Sequence, residues 1–210
     1  MKAQSVKEMF LSLSKKMVAQ EKFLCELDSF VGDGDHGVTV ARGFSSVQEK
    51  VSVTEYQKPA EVFKDAGDCL SKSMGGAIGP ILGSLFLAGA KKSMDKEDFG
   101  AAEFAFMFEA GLKRIQIIGG AQPGDRTMVD AIAPAVEAMK RAVADNKNLA
   151  DCLEDGALAA KNGAEKTKDM VARKGRARFL QDKSAGYVDA GATTTSLILR
   201  YMADYAKGEQ

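Results

Sequence analysis

Apolar residues near the start of the chain recur at spacings of three and four: Val6, Met9, Phe10, Leu13, Met17 and Val18. That is the period of a helix with one buried face. Val62, Phe63, Ala66, Cys69, Leu70 and Met74 repeat it, as do Met128, Ala131, Ile132, Val136, Met139 and Val143. Leu149, Cys152, Leu153, Gly156 and Ala160 continue it with smaller side chains, and Leu197, Ile198, Tyr201, Met202 and Tyr205 form a last stripe. Segments 78–91 and 104–118 are more apolar all round, which predicts buried helices. The only alternation of strand type, Val51 to Thr54, is short and runs toward the turn signal Lys58-Pro59. Gly and Pro break the pattern at 32–37, 75–80, 119–124 and 186–191. No fixed-period repeat or long low-complexity linker appears. The expectation is one all-α domain over residues 1–210, of about seven to nine helices, with the glycine-rich breaks as loops opening onto helix N-termini.

Composition narrows the function classes. The 29 basic residues balance 29 acidic ones, so there is no electrostatic footprint for nucleic acid or an anionic membrane. The first twenty residues carry Lys15-Lys16 inside the apolar pattern and read as an amphipathic helix, not a signal peptide. The apolar run 78–90 is broken by glycine and shorter than the roughly 20 residues a membrane span needs. Three cysteines, Cys25, Cys69 and Cys152, are odd in number and unclustered. They read as buried thiols in a reducing compartment, most simply the cytoplasm.

Candidate chemistry lies in the four breaks. The first packs Asp28, Asp33 and Asp35, three glycines and the chain's one histidine, His36, into eleven residues. Carboxylates at this density suit Mg²⁺, which shares its oxygen shell with phosphates and water. Without a cation the three would repel, unless they point apart. The plain alternative is a solvated turn with Asp28 or Asp35 as a helix cap. Residues 32–37 fit G-x-G-x-x-G, but no strand precedes them, so this is no dinucleotide turn. An EF-hand fails because the twelfth position from Asp33 is Phe44. His36, beside two aspartates, is expected to be protonated or well oriented for a phosphate oxygen.

The second break, Met74 to Pro80, precedes an apolar helix. It is either an anion site of free N–H groups or a close helix contact through Gly75, Gly76, Gly79 and Gly83. The third, Gly119 to Met128, approaches a P-loop but lacks its lysine. Asp125 could cap the next helix there, and Met128 could line a base pocket. The fourth couples the basic cluster Arg173, Lys174, Arg176 and Arg178 with Asp189 to Thr193. It is a phosphate clamp or solvated charge, with Asp189 as a cap.

Together these segments resemble the nucleotide-binding L subunits of dihydroxyacetone kinases. The matching pieces are Leu27-Asp28, Gly32 to Gly37, Gly75 to Pro80, Pro123 to Met128, Arg173 to Ala177 and Asp189 to Thr193. They keep the family's order across nearly the whole chain. The resemblance implies an antiparallel barrel or bundle of about eight amphipathic helices, with ADP or ATP bound at one end. It implies Asp28, Asp33 and Asp35 as ligands of two Mg²⁺ ions, and His36, Gly37, Val38 and Thr39 at the phosphates with Ala77 and Ile78. Gly119 and Met128 would lie near the base, and Arg176, Asp189, Ala190 and Gly191 at other nucleotide contacts. Three departures stand out: Gly34 replaces a common alanine, Ala190 a usual proline, and Ile78 a small polar residue.

In that family a separate K subunit holds dihydroxyacetone, and a phosphoenolpyruvate-fed M subunit recharges the nucleotide in one branch. In the other branch ATP exchanges freely. The leading expectation is therefore a phosphotransferase subunit of the phosphoenolpyruvate-fed kind, with Asp28, Asp33, Asp35 and His36 at the reacting centre. An ATP-exchanging subunit for another short ketose, a nucleotide-loaded regulatory module and a purely structural domain remain as alternatives.

Overall fold

A computed structural model describes residues 1–208. Among the described residues the stripes fold as nine α-helices: α1 Ala3–Val18, α2 Glu21–Ser29, α3 His36–Val53, α4 Pro59–Ser73, α5 Ile78–Ala90, α6 Ala101–Gly119, α7 Val129–Ala144, α8 Leu149–Lys166 and α9 Ala190–Lys207. Two 3-10 segments, Thr167–Asp169 and Arg176–Ser184, lie between α8 and α9. No strand forms among the described residues, and the Val51–Val53 alternation is the last turn of α3.

Local signals set the helix starts. Pro59 opens α4 while the Glu61 carboxylate accepts the N–H of Lys58 at 3.0 Å and of Gln57 at 2.8 Å. Asn148 accepts from Asp151 N ahead of α8, and Asp189 from Ala192 N ahead of α9. Each satisfies a donor that the first turn leaves free. α6 stops where Gly120 turns left-handed, φ +59°.

The helices close into a ring. α3 packs on α4, α4 on α5, and so on in chain order to α9, which packs on α1; α1 then meets α3. Short α2 lies outside the ring against α3 and α9. The apolar faces meet in one core cluster. Phe63 is its hub, with ring centroids 4.9 Å from Phe10, 5.7 Å from Phe104, 5.8 Å from Phe99 and 6.0 Å from Phe86. Glycines let neighbouring backbones approach: a Cβ on Gly83 of α5 would sit 2.5 Å from the Gly67 carbonyl of α4. Between α8 and α9, Glu154 accepts from both terminal nitrogens of Arg200 and lies 3.1 Å from Lys207 Nζ.

This topology decides where the site falls. In an up-and-down ring every second connection emerges at the same end. The breaks before α3, α5, α7 and α9 are such a set, and the structure brings all four together. The other connections gather at the opposite end, where Phe99 N donates to the Met1 carbonyl at 2.9 Å and Lys58 pairs with Glu97.

Candidate functional site

The four breaks enclose an open cavity of about 750 Å³. That is the size of a small-molecule or cofactor site. Asp28, at the end of α2, closes the first loop by accepting Gly34 N at 2.9 Å, so it shapes the turn instead of capping α3. Gly34 needs the permissive backbone, with φ +75°. Asp35 precedes α3 but makes no side-chain cap bond either. Asp28, Asp33 and Asp35 each offer a carboxylate oxygen within 4.8 Å of the others. Hard oxygen donors at that spacing, beside a cavity of cofactor size, fit Mg²⁺. Their counter-charge here is Arg176, paired with Asp33 and 3.8 Å from Asp35. The basic segment is thus not free surface charge: at least Arg176 faces the acidic cluster.

His36 is oriented, as expected, but not held protonated. Its Nε2 meets Thr194 Oγ1 at 2.8 Å. Burial lowers its pKa more than the Asp28 charge and the Ala190 backbone raise it. The imidazole is therefore neutral at neutral pH.

In the second loop the packing alternative holds at two glycines, and two others face the cavity. Gly79 and Gly83 are packing positions, where a Cβ would meet Met74 O at 2.5 Å and Ser71 Oγ at 2.0 Å. Gly75 and Gly76 are exposed and border the cavity, with Ala77 and Ile78 beside them at the start of α5.

In the third loop Asp125 does not cap α7; it accepts Gln122 N at 2.9 Å. Buried Asp130 instead accepts Thr127 N at 2.8 Å and also Gly124 N. Met128 is buried and borders the cavity together with Gly119. Across from it stand Asp189, Ala190 and Gly191 at the start of α9. Burial raises the Asp189 pKa to about 6, against the pull of Arg126 and two backbone N–H groups.

Of the residues singled out from the sequence, Asp28, Asp33, Asp35, His36, Val38, Thr39, Ala77, Ile78, Gly119, Met128, Arg176, Asp189, Ala190 and Gly191 all border this cavity. Gly37 does not. It is the contact between α3 and α2, where a Cβ would fall 1.9 Å from the Glu21 carbonyl. The cysteines differ in part from expectation: Cys152 is buried, whereas Cys25 and Cys69 are half-buried, and all three are free.

Three cavity or support residues were not read from the sequence. Arg42 borders the cavity and donates from Nε to the Ser73 carbonyl at 2.7 Å. Thr194 pairs through Oγ1 with His36 Nε2. Arg126 is buried, and its Nη2 donates to the Tyr187 carbonyl at 2.8 Å. Only Arg126 lay in a segment already singled out, one position after Asp125, which stands where a P-loop has its lysine.

Comparison with known proteins agrees with this arrangement. The chain is 35% identical over 188 residues to the ADP-binding subunit of the phosphoenolpyruvate-dependent dihydroxyacetone kinase of Escherichia coli, covering 90% of each chain. It is 31% identical to a D-erythrulose kinase of Mycolicibacterium smegmatis, covering 96% of this chain and 35% of that one. Its fold superposes on the dihydroxyacetone kinase of C. freundii in complex with AMP-PNP and Mg²⁺, with TM-score 0.73 and 27% identity. It spans about a third of that chain, 33%. Residues 30–204, which hold all four loops except Asp28 and its helix, match the DAK2 domain. With the helical ring and the loop order in agreement, the chain belongs to the DAK2-domain family.

Proposed function

We propose that this chain is a single nucleotide-binding domain and the phosphotransfer subunit of a dihydroxyacetone kinase. It holds ADP or ATP across the four loops and passes a phosphoryl group to dihydroxyacetone on a separate K-type subunit. A phosphoenolpyruvate-fed M-type subunit recharges it. The observation that carries this reading is the convergence of Asp28, Asp33 and Asp35 with three glycine-bearing loops at one end of a DAK2-family ring. The match to a phosphoenolpyruvate-dependent subunit over 90% of both chains favours that branch over free ATP exchange.

Asp28, Asp33 and Asp35 would hold two Mg²⁺ ions, which when bound neutralise charge on the nucleotide phosphates. Arg176, now on Asp33 and Asp35, is placed to turn to a phosphate oxygen once cations take over those carboxylates. Neutral His36 can donate a hydrogen bond to a phosphate, held in orientation by Thr194. Thr39 and the first-turn N–H groups of α3 and α5 add donors, while Gly119 and Met128 would flank the base. The free cysteines fit a reducing compartment such as the cytoplasm. No helix among the described residues is long and apolar enough to cross a membrane.

A second acceptor has specific support: the likeness to a D-erythrulose kinase favours a four-carbon ketose as an alternative substrate. The experiment is to denature the purified chain, identify released nucleotide by mass spectrometry, and assay transfer with K- and M-type subunits on both ketoses. Stoichiometric ADP and phosphoenolpyruvate-driven transfer are expected, with Asp33→Ala abolishing the Mg²⁺-dependent thermal shift. An Asp33→Ala protein with full Mg²⁺ response and transfer would refute the assignment.

A further inference from the structure

Arg126 makes none of the phosphate or metal contacts proposed above, yet it is the most expensively placed residue at the site. Its side chain is wholly enclosed, and Nε and Nη1 have no hydrogen-bond partner. A buried guanidinium with idle donors is unfavourable, and an apolar side chain of similar volume is commonly as stable or more so. Its backbone is also left-handed, φ +60°, a region that non-glycine residues seldom enter. Two local costs at one residue of a cavity wall point to function more than to stability.

The arginine reaches across to the segment that leads into α9. Nη2 donates to the Tyr187 carbonyl at 2.8 Å, and Nη1 lies 3.9 Å from Asp189 Oδ1, too far for a hydrogen bond. Burial pushes both members of this pair toward neutrality against their mutual attraction. From the other side, His36 engages Thr194 on the same segment. The two loops are neighbours at this point: a Cβ on Gly191 would lie at ordinary van der Waals distance, 3.9 Å, from Met128 N. The segment 187–194 is thus gripped by α3 through His36 and by the turn before α7 through Arg126.

We infer that Arg126 is a positioning residue for the nucleotide: through the Tyr187 carbonyl and Asp189 it fixes the start of α9 against Met128, and so keeps the nucleotide seat closed. The inference rests on the nucleotide-binding reading above. It accounts for retention of a buried charge whose hydrogen bonds are incomplete, because the guanidinium holds Tyr187 and Asp189, whereas the backbone bond between the two loops, Arg173 N to the Asp125 carbonyl at 3.1 Å, lies elsewhere along them.

The test compares full-length wild type, Arg126→Met and Arg126→Lys in three measurements. These are calorimetric titration with Mg-ADP, release of a fluorescent ADP analogue chased by unlabelled ADP, and melting without nucleotide. Arg126→Met is expected to melt at or above the wild-type temperature, yet bind ADP about tenfold more weakly with faster release, as outer-shell substitutions do at metal sites. Arg126→Lys should recover part of that loss. Unchanged affinity and release in Arg126→Met overturn the inference. So does a loss that only tracks a lowered melting temperature and is not eased by lysine. Should Arg126→Met fail to fold, Arg126→Lys and Asp189→Asn replace it. Each should speed release, and the double variant should fall short of the sum, since the two act through one contact; additive effects overturn the inference. Wild type that binds no ADP removes the nucleotide reading and this inference together, whereas binding by wild type and variants alike removes only the inference.

Discussion

Replacing Glu154 by glutamine should weaken the α8–α9 seam in a way that depends on pH. Glu154 receives Nη1 of Arg200 at 2.9 Å and Nη2 at 2.5 Å, with Lys207 Nζ 3.1 Å away. These cations depress its pKa from 4.5 to about 2. At about 1.36 kcal/mol per unit, that shift corresponds to about 3 kcal/mol of preference for the folded state. Glu154 and Arg200 keep 21% and 30% of their side-chain surface exposed. Solvent screening then leaves about 2 kcal/mol. Because the folded pKa is the lower one, the contribution is complete well above pH 4.5 and is lost as the pH falls toward 2, with about two-fifths remaining at pH 3. The assay is urea unfolding of wild type and Glu154→Gln at both pH values. With a slope of about 2 kcal/mol per molar, the midpoint should drop by about 1 M at pH 7 and about 0.4 M at pH 3. An equal drop at the two pH values, or none at pH 7, would refute the electrostatic account and leave only a packing effect.

Other substitutions probe the core and the site. Phe63→Ala, which removes the hub of the aromatic cluster, should cost about 3–5 kcal/mol in chemical denaturation. Gly37→Ala must push α3 off the Glu21 carbonyl of α2. Calorimetry should find weaker Mg-ADP binding together with a loss of stability of about 1–3 kcal/mol. Asp189, whose folded pKa is raised from 3.8 to about 6, adds stability in acid that disappears as the pH rises through 6. Asp189→Asn should flatten the stability profile between pH 4 and 6, and an unchanged slope there would count against that titration.

The fold was largely legible because periodicity reports burial directly. The stripe through Val6, Phe10, Leu13 and Met17 is the buried face of α1, and the glycine breaks fall at the starts of α3, α5, α7 and α9. The acidic cluster was legible because Asp28, Asp33 and Asp35 are close in sequence. What stayed hidden depends on partners far along the chain. His36 was expected near charge, but its neutrality follows from burial under α9, and Thr194 lies 158 positions away. Asp125 looked like the cap of α7, yet past the left-handed turn at Gly124 and Arg126 it accepts Gln122 N, while Asp130 inside α7 reaches back to Gly124 N and Thr127 N. No local pattern announces a positive φ at an arginine, so its inward course could not be read. Gly37 shows a duty the matching motif does not reveal: its missing side chain lets α3 pack against α2.

Ring parity also settles how such a fold can be joined to other things. With an even number of staves, the start of α1 and the close of α9 share the end away from the cavity, where Met1 and Gly208 border the same shallow depression. A tag, tether or fused neighbour attached at either terminus departs from the rear of the molecule and leaves the mouth unobstructed. The same arithmetic makes circular permutation a practical tool here. Opening the chain at the rear loop between α6's predecessor and α6, near Ser93 to Gly100, would relocate both termini without approaching any of the four front loops.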